Sequence, residues 1–169
     1  MNTSLRNLEF SQGVQSQLRI LNKVLREHSK TELFDNPDIQ FELDWCSQNF
    51  LVFTLSRPNS NSVELRFHLL PDGMRIDFDG YQEAWEVPAA TIERDNTTEE
   101  VLERLIASPI LVEYKGGAKF VNLFNTDGSR FAVWALQSFP ALLFRGYWKS
   151  QSIDQHLFDP IYPRSGGAT

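Results

Sequence analysis

The sequence has little cysteine, no long apolar run and no excess of positive charge. Cys46 is the only cysteine among 169 residues, which excludes an intramolecular disulfide and a cysteine-rich zinc site. No window approaches the roughly 18 apolar residues of a membrane-spanning helix, and residues 1–10 contain no apolar segment of the signal-peptide type. We therefore expect a cytoplasmic protein with no membrane partner.

The excess of acidic over basic residues indicates which kind of partner the protein could bind. Asp and Glu number 22 against 16 Lys and Arg, which gives a formal net charge of -6. This field repels a nucleic-acid backbone, so nucleic acid is not expected as a partner, whereas a basic protein would be steered toward the surface. The three histidines, His28, His68 and His156, lie far apart and match no metal-spacing motif. Neither a metal nor a cofactor is predicted.

The length and the aromatic content indicate a packed core. A chain of this size suits one domain, and thirteen Phe with four Trp favour a folded interior over disorder. We assign residues 1–150 to a single domain. Prolines and glycines punctuate the rest of the chain, so residues 151–169 are predicted to be an extended tail whose end, 165–169, is disordered.

Three helices are predicted. Apolar residues recur at helical spacing between Leu5 and Lys30, although Gly13 is a weak interior position and favours a start at Val14. Thr97 and Glu100 match a capping box, which predicts a second helix that ends before Pro109. A short C-terminal helix is predicted from an N-cap at residue 138 to about residue 148.

Four strands are predicted in the first half of the chain. Apolar and polar residues alternate over 39–45, a more continuous apolar run follows over 50–56, and alternation returns in two runs around Leu70–Gly73. A pairing that set apolar residues opposite charged ones would spoil both faces, so the loop must have an even number of residues, and a four-residue loop from Leu70 to Gly73 is predicted. Phe67 then lies opposite Ile76, and Arg66 lies opposite Asp77 as a surface ion pair.

A second meander of three strands is predicted over 110–137. Gly116-Gly117 suits a tight two-residue turn and sets Val112 opposite Val121. Thr126-Asp127-Gly128 suits a three-residue loop with its glycine in the left-handed conformation, which would align Leu123 with Phe131 and Val121 with Val133. The fold class is therefore α+β, with a mostly antiparallel sheet built from two meanders of four and three strands and with the three helices packed on it.

Two surfaces are candidate binding sites. The first is the carboxylate-rich face of the first meander, where four acidic residues are candidates for partner binding: Glu42, Asp44, Glu64 and Asp79. The second is an aromatic pocket between the second meander and the C-terminal helix, with four candidate ligand-binding residues: Phe120, Phe124, Trp134 and Trp148.

The leading interpretation is a non-enzymatic, acidic, cytoplasmic protein that binds another protein, with the character of an immunity-like inhibitor or of a secretion or assembly chaperone. The first alternative is a small-molecule binding domain that uses the aromatic pocket. The second alternative is a hydrolase or metal enzyme that uses His68 with the nearby carboxylates Asp77 and Asp79. Cys46 is interpreted as a buried, inert thiol.

Overall fold

The computed structural model describes residues 5, 8–79, 86–87, 98–115, 118–125, 127–137 and 154–163. Helix α1 spans Gln12–His28 and helix α2 spans Thr98–Ala107. The described strands form two antiparallel sheets, of five and four strands. The predicted α+β class is thereby confirmed, and the predicted C-terminal helix lies outside the described residues.

The first sheet contains five strands in sequential order: β1 (Ile39–Phe41), β2 (Leu51–Leu55), β3 (Glu64–Leu70), β4 (Gly73–Asp79) and β5 (Glu86–Val87). The register predicted for the β3–β4 hairpin is confirmed, with Phe67 opposite Ile76 and Arg66 opposite Asp77. Pairing extends to Leu70 and Gly73, so the connecting loop has two residues instead of four. The inward-facing residues Leu65, Phe67 and Ile76 are fully buried.

The strand predicted over 39–45 is wrong in its second half. Strand β1 ends at Phe41, and Leu43–Trp45 forms a turn of 3-10 helix. The backbone N–H of Glu42 still reaches the Val52 carbonyl at 3.1 Å, after which the N–H of Trp45 bonds to the Glu42 carbonyl at 2.9 Å. Because the chain turns here, Leu43 and Trp45 leave the buried face that the alternation had assigned to them.

Helix α1 places its apolar stripe against this sheet, with Val14, Leu18, Leu21, Val24 and Leu25 buried. The helix begins at Gln12, two residues before the predicted start at Val14, so Gly13 lies inside the helix. A Cβ atom at residue 13 would lie 2.0 Å from the Pro71 carbonyl oxygen. Glycine is therefore required here because the helix backbone packs directly against the β3–β4 turn.

The second sheet contains four strands: β6 (Ile110–Lys115), β7 (Ala118–Phe124), β8 (Arg130–Gln137) and β9 (Asp154–Phe158), in the order β8-β7-β6-β9. The β6–β7 register confirms the prediction, with Val112 opposite Val121. Strand β9 was not predicted; it lies within the segment predicted to be a tail and pairs with β6. That strand alternates too weakly, and is too close to the prolines of the tail, to be recognised from its pattern.

The predicted β7–β8 register is wrong by one residue. The loop itself is as predicted: Gly128 has a φ of 80° and the Asn125 N–H bonds to the Ser129 carbonyl at 2.8 Å. A bulge then follows, so Leu123 lies opposite Ala132 and Asn122 lies opposite Val133. A single extra residue in one strand reverses the faces of every residue beyond it.

The segment after β9 packs against the rest of the molecule. The Asp159 N–H bonds to the Asn61 carbonyl at 2.9 Å, and the Tyr162 N–H bonds to the Ile106 carbonyl at 2.9 Å. The Tyr162 hydroxyl lies 2.7 Å from Oδ2 of Asp38. Ile161 and Tyr162 are buried in one cluster with the apolar residues of both sheets and both helices. In the described part of the chain, no helix is long and apolar enough to cross a membrane.

Candidate functional site

The four predicted acidic residues form two pairs at opposite ends of the strands of the first sheet. Glu42 follows β1, Asp44 lies in the 3-10 turn, and Glu64 opens β3 directly opposite Asp79 of β4. The structure therefore brings Glu64 and Asp79 into register as neighbours at the backbone level, while the Asp79 side chain lies outside the described set. Asp44 is exposed, and Glu42 and Glu64 are partly buried.

The predicted ion pair between Arg66 and Asp77 is not the one that forms. Arg66 Nη2 donates to Oε2 of Glu42 across β2, and Oδ2 of Asp77 accepts from Nε2 of His68 at 2.8 Å. Register alone cannot choose between a directly opposite partner and a diagonal one, because long side chains reach both. Glu42 is therefore partly neutralised, and Asp44 and Glu64 contribute more of the exposed negative charge.

The outer face of this sheet is less solvated than its charged residues suggest. Val52, which lies directly opposite His68, is 1% exposed, and Asp77 is 3% exposed. Oδ1 of Asp77 is buried without a hydrogen-bond partner among the described residues. A buried carboxylate is expensive unless it is paired, so the bond to His68 stabilises the only oxygen of Asp77 that has a described partner.

A paired histidine and carboxylate can hold an imidazole in one orientation, as general base catalysis requires. The structure thus brings together two residues of the enzyme interpretation, His68 and Asp77. Such chemistry also needs a nucleophile or further ligands at the same point. Among the residues that the structure describes, no three His, Cys, Asp or Glu side chains are grouped so that they could hold a metal ion.

Two of the large apolar side chains that are exposed in the described part of the chain lie next to Glu42 and Asp44 in the sequence. Leu43 is 51% exposed and Trp45 is 62% exposed. We call residues 42–46, which contain this pair together with Glu42 and Asp44, the Trp45 turn. The period-two pattern could not find it because the same alternation predicts burial, and the polar run Ser47–Asn49 is the only signal that the strand ends early.

Backbone hydrogen bonds hold the Trp45 turn in one conformation. The Cys46 N–H bonds to the Leu43 carbonyl at 3.1 Å, and Ser47 and Phe50 exchange two backbone bonds, one of 2.7 Å and one of 3.2 Å. Cys46 Sγ donates to the Glu42 carbonyl at 3.2 Å. Burial raises the pKa of the Cys46 thiol, so the geometry supports a structural thiol over a nucleophile. Trp45 is consequently presented by a pre-formed turn.

The predicted aromatic pocket is only partly within the described residues. Phe120 and Phe124 are half-buried, but the bulge places position 134 opposite Val121 and not in the row of Asn122. The side chains of Trp134 and Trp148 lie outside the described set. The outer row of this sheet runs through Val133, Asn122, Leu111 and Leu157, with Asn122 fully buried and Leu157 60% exposed.

Asn122 anchors that row. Its Nδ2 donates to the Leu111 carbonyl at 3.1 Å and to Oε2 of Glu113 at 2.9 Å. Gln155 Nε2 donates to the other oxygen of Glu113 at 2.7 Å. These bonds tie β7, β6 and β9 together across the sheet, so the polar groups of this face have a structural role.

The chain matches no protein-family model, no curated protein and no solved structure. A function for this chain therefore follows only from the geometry of its own residues.

Proposed function

We propose that the protein binds another protein, with the Trp45 turn as the anchor. The partner that fits has an apolar pocket edged by Lys or Arg. The observation that carries the proposal is the exposure of Trp45, at 62%, on a turn whose backbone is already fixed by hydrogen bonds.

The energetics favour this use of the turn. Covering the exposed part of Trp45 removes about 150 Å² from water, worth about 4 kcal/mol at roughly 25 cal/mol/Å². Covering the exposed half of Leu43 adds about 1 kcal/mol. Tryptophan is among the residues most enriched at binding hot spots, and a pre-formed turn avoids much of the ordering cost of association.

Charge complementarity determines which partner is favoured. Glu42 and Asp44 belong to the turn itself, with Asp44 between Leu43 and Trp45 in the sequence, and the whole chain carries a net charge of -6. A basic surface would be steered to this side of the molecule, and its cations would lie at the rim of the contact. Rim charges act mainly on the association rate and weaken as salt rises.

This proposal retains the interpretation of a non-enzymatic, cytoplasmic binding protein. An inhibitor of a basic enzyme and a chaperone for a basic secretion or assembly substrate would both use such a surface. The two differ in what the partner does while bound: an inhibited enzyme loses activity, whereas a chaperoned substrate remains soluble or unassembled.

Affinity capture with matched variants tests the proposal. The tagged full-length chain is used on native lysate at 50 and 300 mM salt, beside Trp45→Ala, Leu43→Ala and the control Leu157→Ala. Leu157 is 60% exposed, close to Leu43 at 51%, but lies on the second sheet. We expect one stoichiometric partner that is retained by wild type and Leu157→Ala and is lost with Trp45→Ala.

Two results would contradict the proposal. One is equal recovery of the partner by Trp45→Ala and by wild type, which would place the contact elsewhere. The other is recovery of no stoichiometric partner at either salt concentration. A partner whose recovery is higher in 300 mM salt would argue against a basic contact surface.

A further inference from the structure

A cavity of about 240 Å³ lies between α1, the β3–β4 turn and α2. No residue of the Trp45 turn lines it. Its walls are largely apolar, with contributions from Ile20, Met74, Ile76, Val101 and Leu102. Its polar lining comes from three elements: Ser16 and Gln17 of α1, Asp72 of the β3–β4 turn and Thr98 of α2. Apolar walls with a few polar groups at one end are typical of small-molecule sites.

The three elements around the cavity are held in place by direct contacts. Gly13 brings the α1 backbone against Pro71, and Gln17 Nε2 donates to the Leu70 carbonyl at 2.5 Å. Further along α1, Lys23 Nζ lies 2.5 Å from Oε1 of Glu99 on α2. The cavity is therefore present in the structure without a ligand, with α1 packed closely against the β3–β4 turn.

Size and charge define the ligand class. An apolar cavity of about 150 Å³ is enough for benzene, so this one has room for a phenyl ring and a short aliphatic arm. Asp72 is exposed and lines the cavity, and the ion pairs formed among the described residues do not include it. A cationic group at the end of the arm would bind this carboxylate, while an anionic group would be repelled.

We propose that this cavity binds a small amphiphilic amine. The apolar body lies against Ile20 and Pro71, which keep accessible surface above the buried floor of Met74, Ile76 and Leu102, and the ammonium group lies beside the Asp72 carboxylate. This activity goes beyond the proposed protein binding and does not depend on it, because the two sites share no residue.

Nuclear magnetic resonance titration of the full chain tests the proposal. The probes are 2-phenylethylamine, 3-phenylpropionate and 2-phenylethanol, which have similar apolar bodies and differ in charge. We expect saturable shifts at the amides of Met74, Ile76 and Leu102 with a Kd for the amine on the order of 1 mM. Because an exposed ion pair is weak, the amine should bind about three- to fivefold more tightly than the carboxylate.

Two variants at exposed positions keep the test independent of folding. Asp72→Asn should remove the preference for the amine and leave the binding of 2-phenylethanol unchanged. Ser16→Trp should fill the mouth and abolish binding of all three probes, with an unchanged circular dichroism spectrum. Trp45→Ala should leave every titration unchanged, which separates this site from the protein-binding surface.

Absence of saturable shifts at the lining amides up to 10 mM probe would overturn the proposal. Equal affinities for the amine and the carboxylate would overturn the assignment to amines, as would an amine preference that survives in Asp72→Asn.

Discussion

Gly13→Ala tests the packing of the first helix most severely, because two physical effects predict opposite signs. In an exposed helix interior, alanine is more stable than glycine by about 1 kcal/mol. In the structure, however, the new Cβ would lie 2.0 Å from the Pro71 carbonyl oxygen and 2.7 Å from the Pro71 carbonyl carbon and Cα. Both groups are backbone, so neither can rotate away.

The expected cost follows from this overlap. Ordinary van der Waals contact begins near 3.4 Å, so the helix and the turn must separate by about 1.4 Å. Overpacking of this kind costs about 1–3 kcal/mol, and contact with rigid backbone belongs at the upper end. After subtraction of the helix preference, we expect Gly13→Ala to lower the free energy of unfolding by about 2 kcal/mol, equivalent to a fall in Tm of roughly 4–8 °C.

Urea unfolding followed by circular dichroism measures this change. The matched control is Ser16→Ala on the same helix, where the side chain is exposed and its hydroxyl bonds back to the Gln12 carbonyl at 3.0 Å. That variant should gain about 0.5 kcal/mol, because only helix preference is altered. If Gly13→Ala were as stable as wild type or more stable, the close approach of α1 to the hairpin turn would be refuted.

Three further outcomes are expected. Asp77→Ala should lower the free energy of unfolding by about 3 kcal/mol, because His68 loses its partner in a buried site. Asp77→Asn should cost less, because its amide oxygen still accepts the hydrogen bond. Equal losses of the two variants in urea titrations would contradict this. Burial and the bond to Asp38 raise the pKa of Tyr162, so its contribution to stability is complete below the unfolded tyrosine pKa of about 10 and is lost as pH rises above it. Tyr162→Phe should cost about 1–3 kcal/mol at pH 7 and should flatten the alkaline fall in stability, and an unchanged alkaline slope would oppose the argument. Because burial raises the pKa of Cys46, its thiol should react with a disulfide reagent at pH 8 at least about tenfold more slowly in the native chain than in urea, and equal rates would contradict a structural thiol.

The β3–β4 hairpin could be predicted because one physical rule governs it. A shift by one residue would place the apolar residues in water, and a short loop between the strands selects the pairing of Phe67 with Ile76, which is the register observed. The rule does not predict which side chains pair with each other on the outer face. Arg66 bonds to Glu42 and His68 bonds to Asp77, choices that depend on strand twist and on a neighbouring strand.

Other features escaped prediction because distant contacts decide them. The bulge in β8 accompanies the packing of Phe131 under Arg104, whose guanidinium carbon is 5.4 Å from the ring centroid. Strand β9 forms because it pairs with β6, and its own residues show no clear alternation of apolar and polar side chains. In the sequence Gly13 only weakens the helix, whereas in the structure it is needed because Pro71 lies directly beside it.

The candidate site was also predicted only in part. The sequence pattern predicted that Glu42, Asp44, Glu64 and Asp79 share one face. The structure brings Glu64 and Asp79 into register, at the end of the sheet away from Glu42 and Asp44. The apolar anchor was missed, because Leu43 and Trp45 continue an alternation that ordinarily marks a buried strand. Only the local turn of the chain after Glu42 exposes them.

The most direct test of the central claim is the affinity of the purified partner for three forms of the chain: wild type, Trp45→Ala and Leu157→Ala. Isothermal titration calorimetry at 50 and 300 mM salt gives the comparison. The account predicts that Trp45→Ala weakens Kd at least 100-fold, that Leu157→Ala changes it less than twofold, and that wild-type binding weakens as salt rises. Equal Kd values for Trp45→Ala and wild type would contradict it.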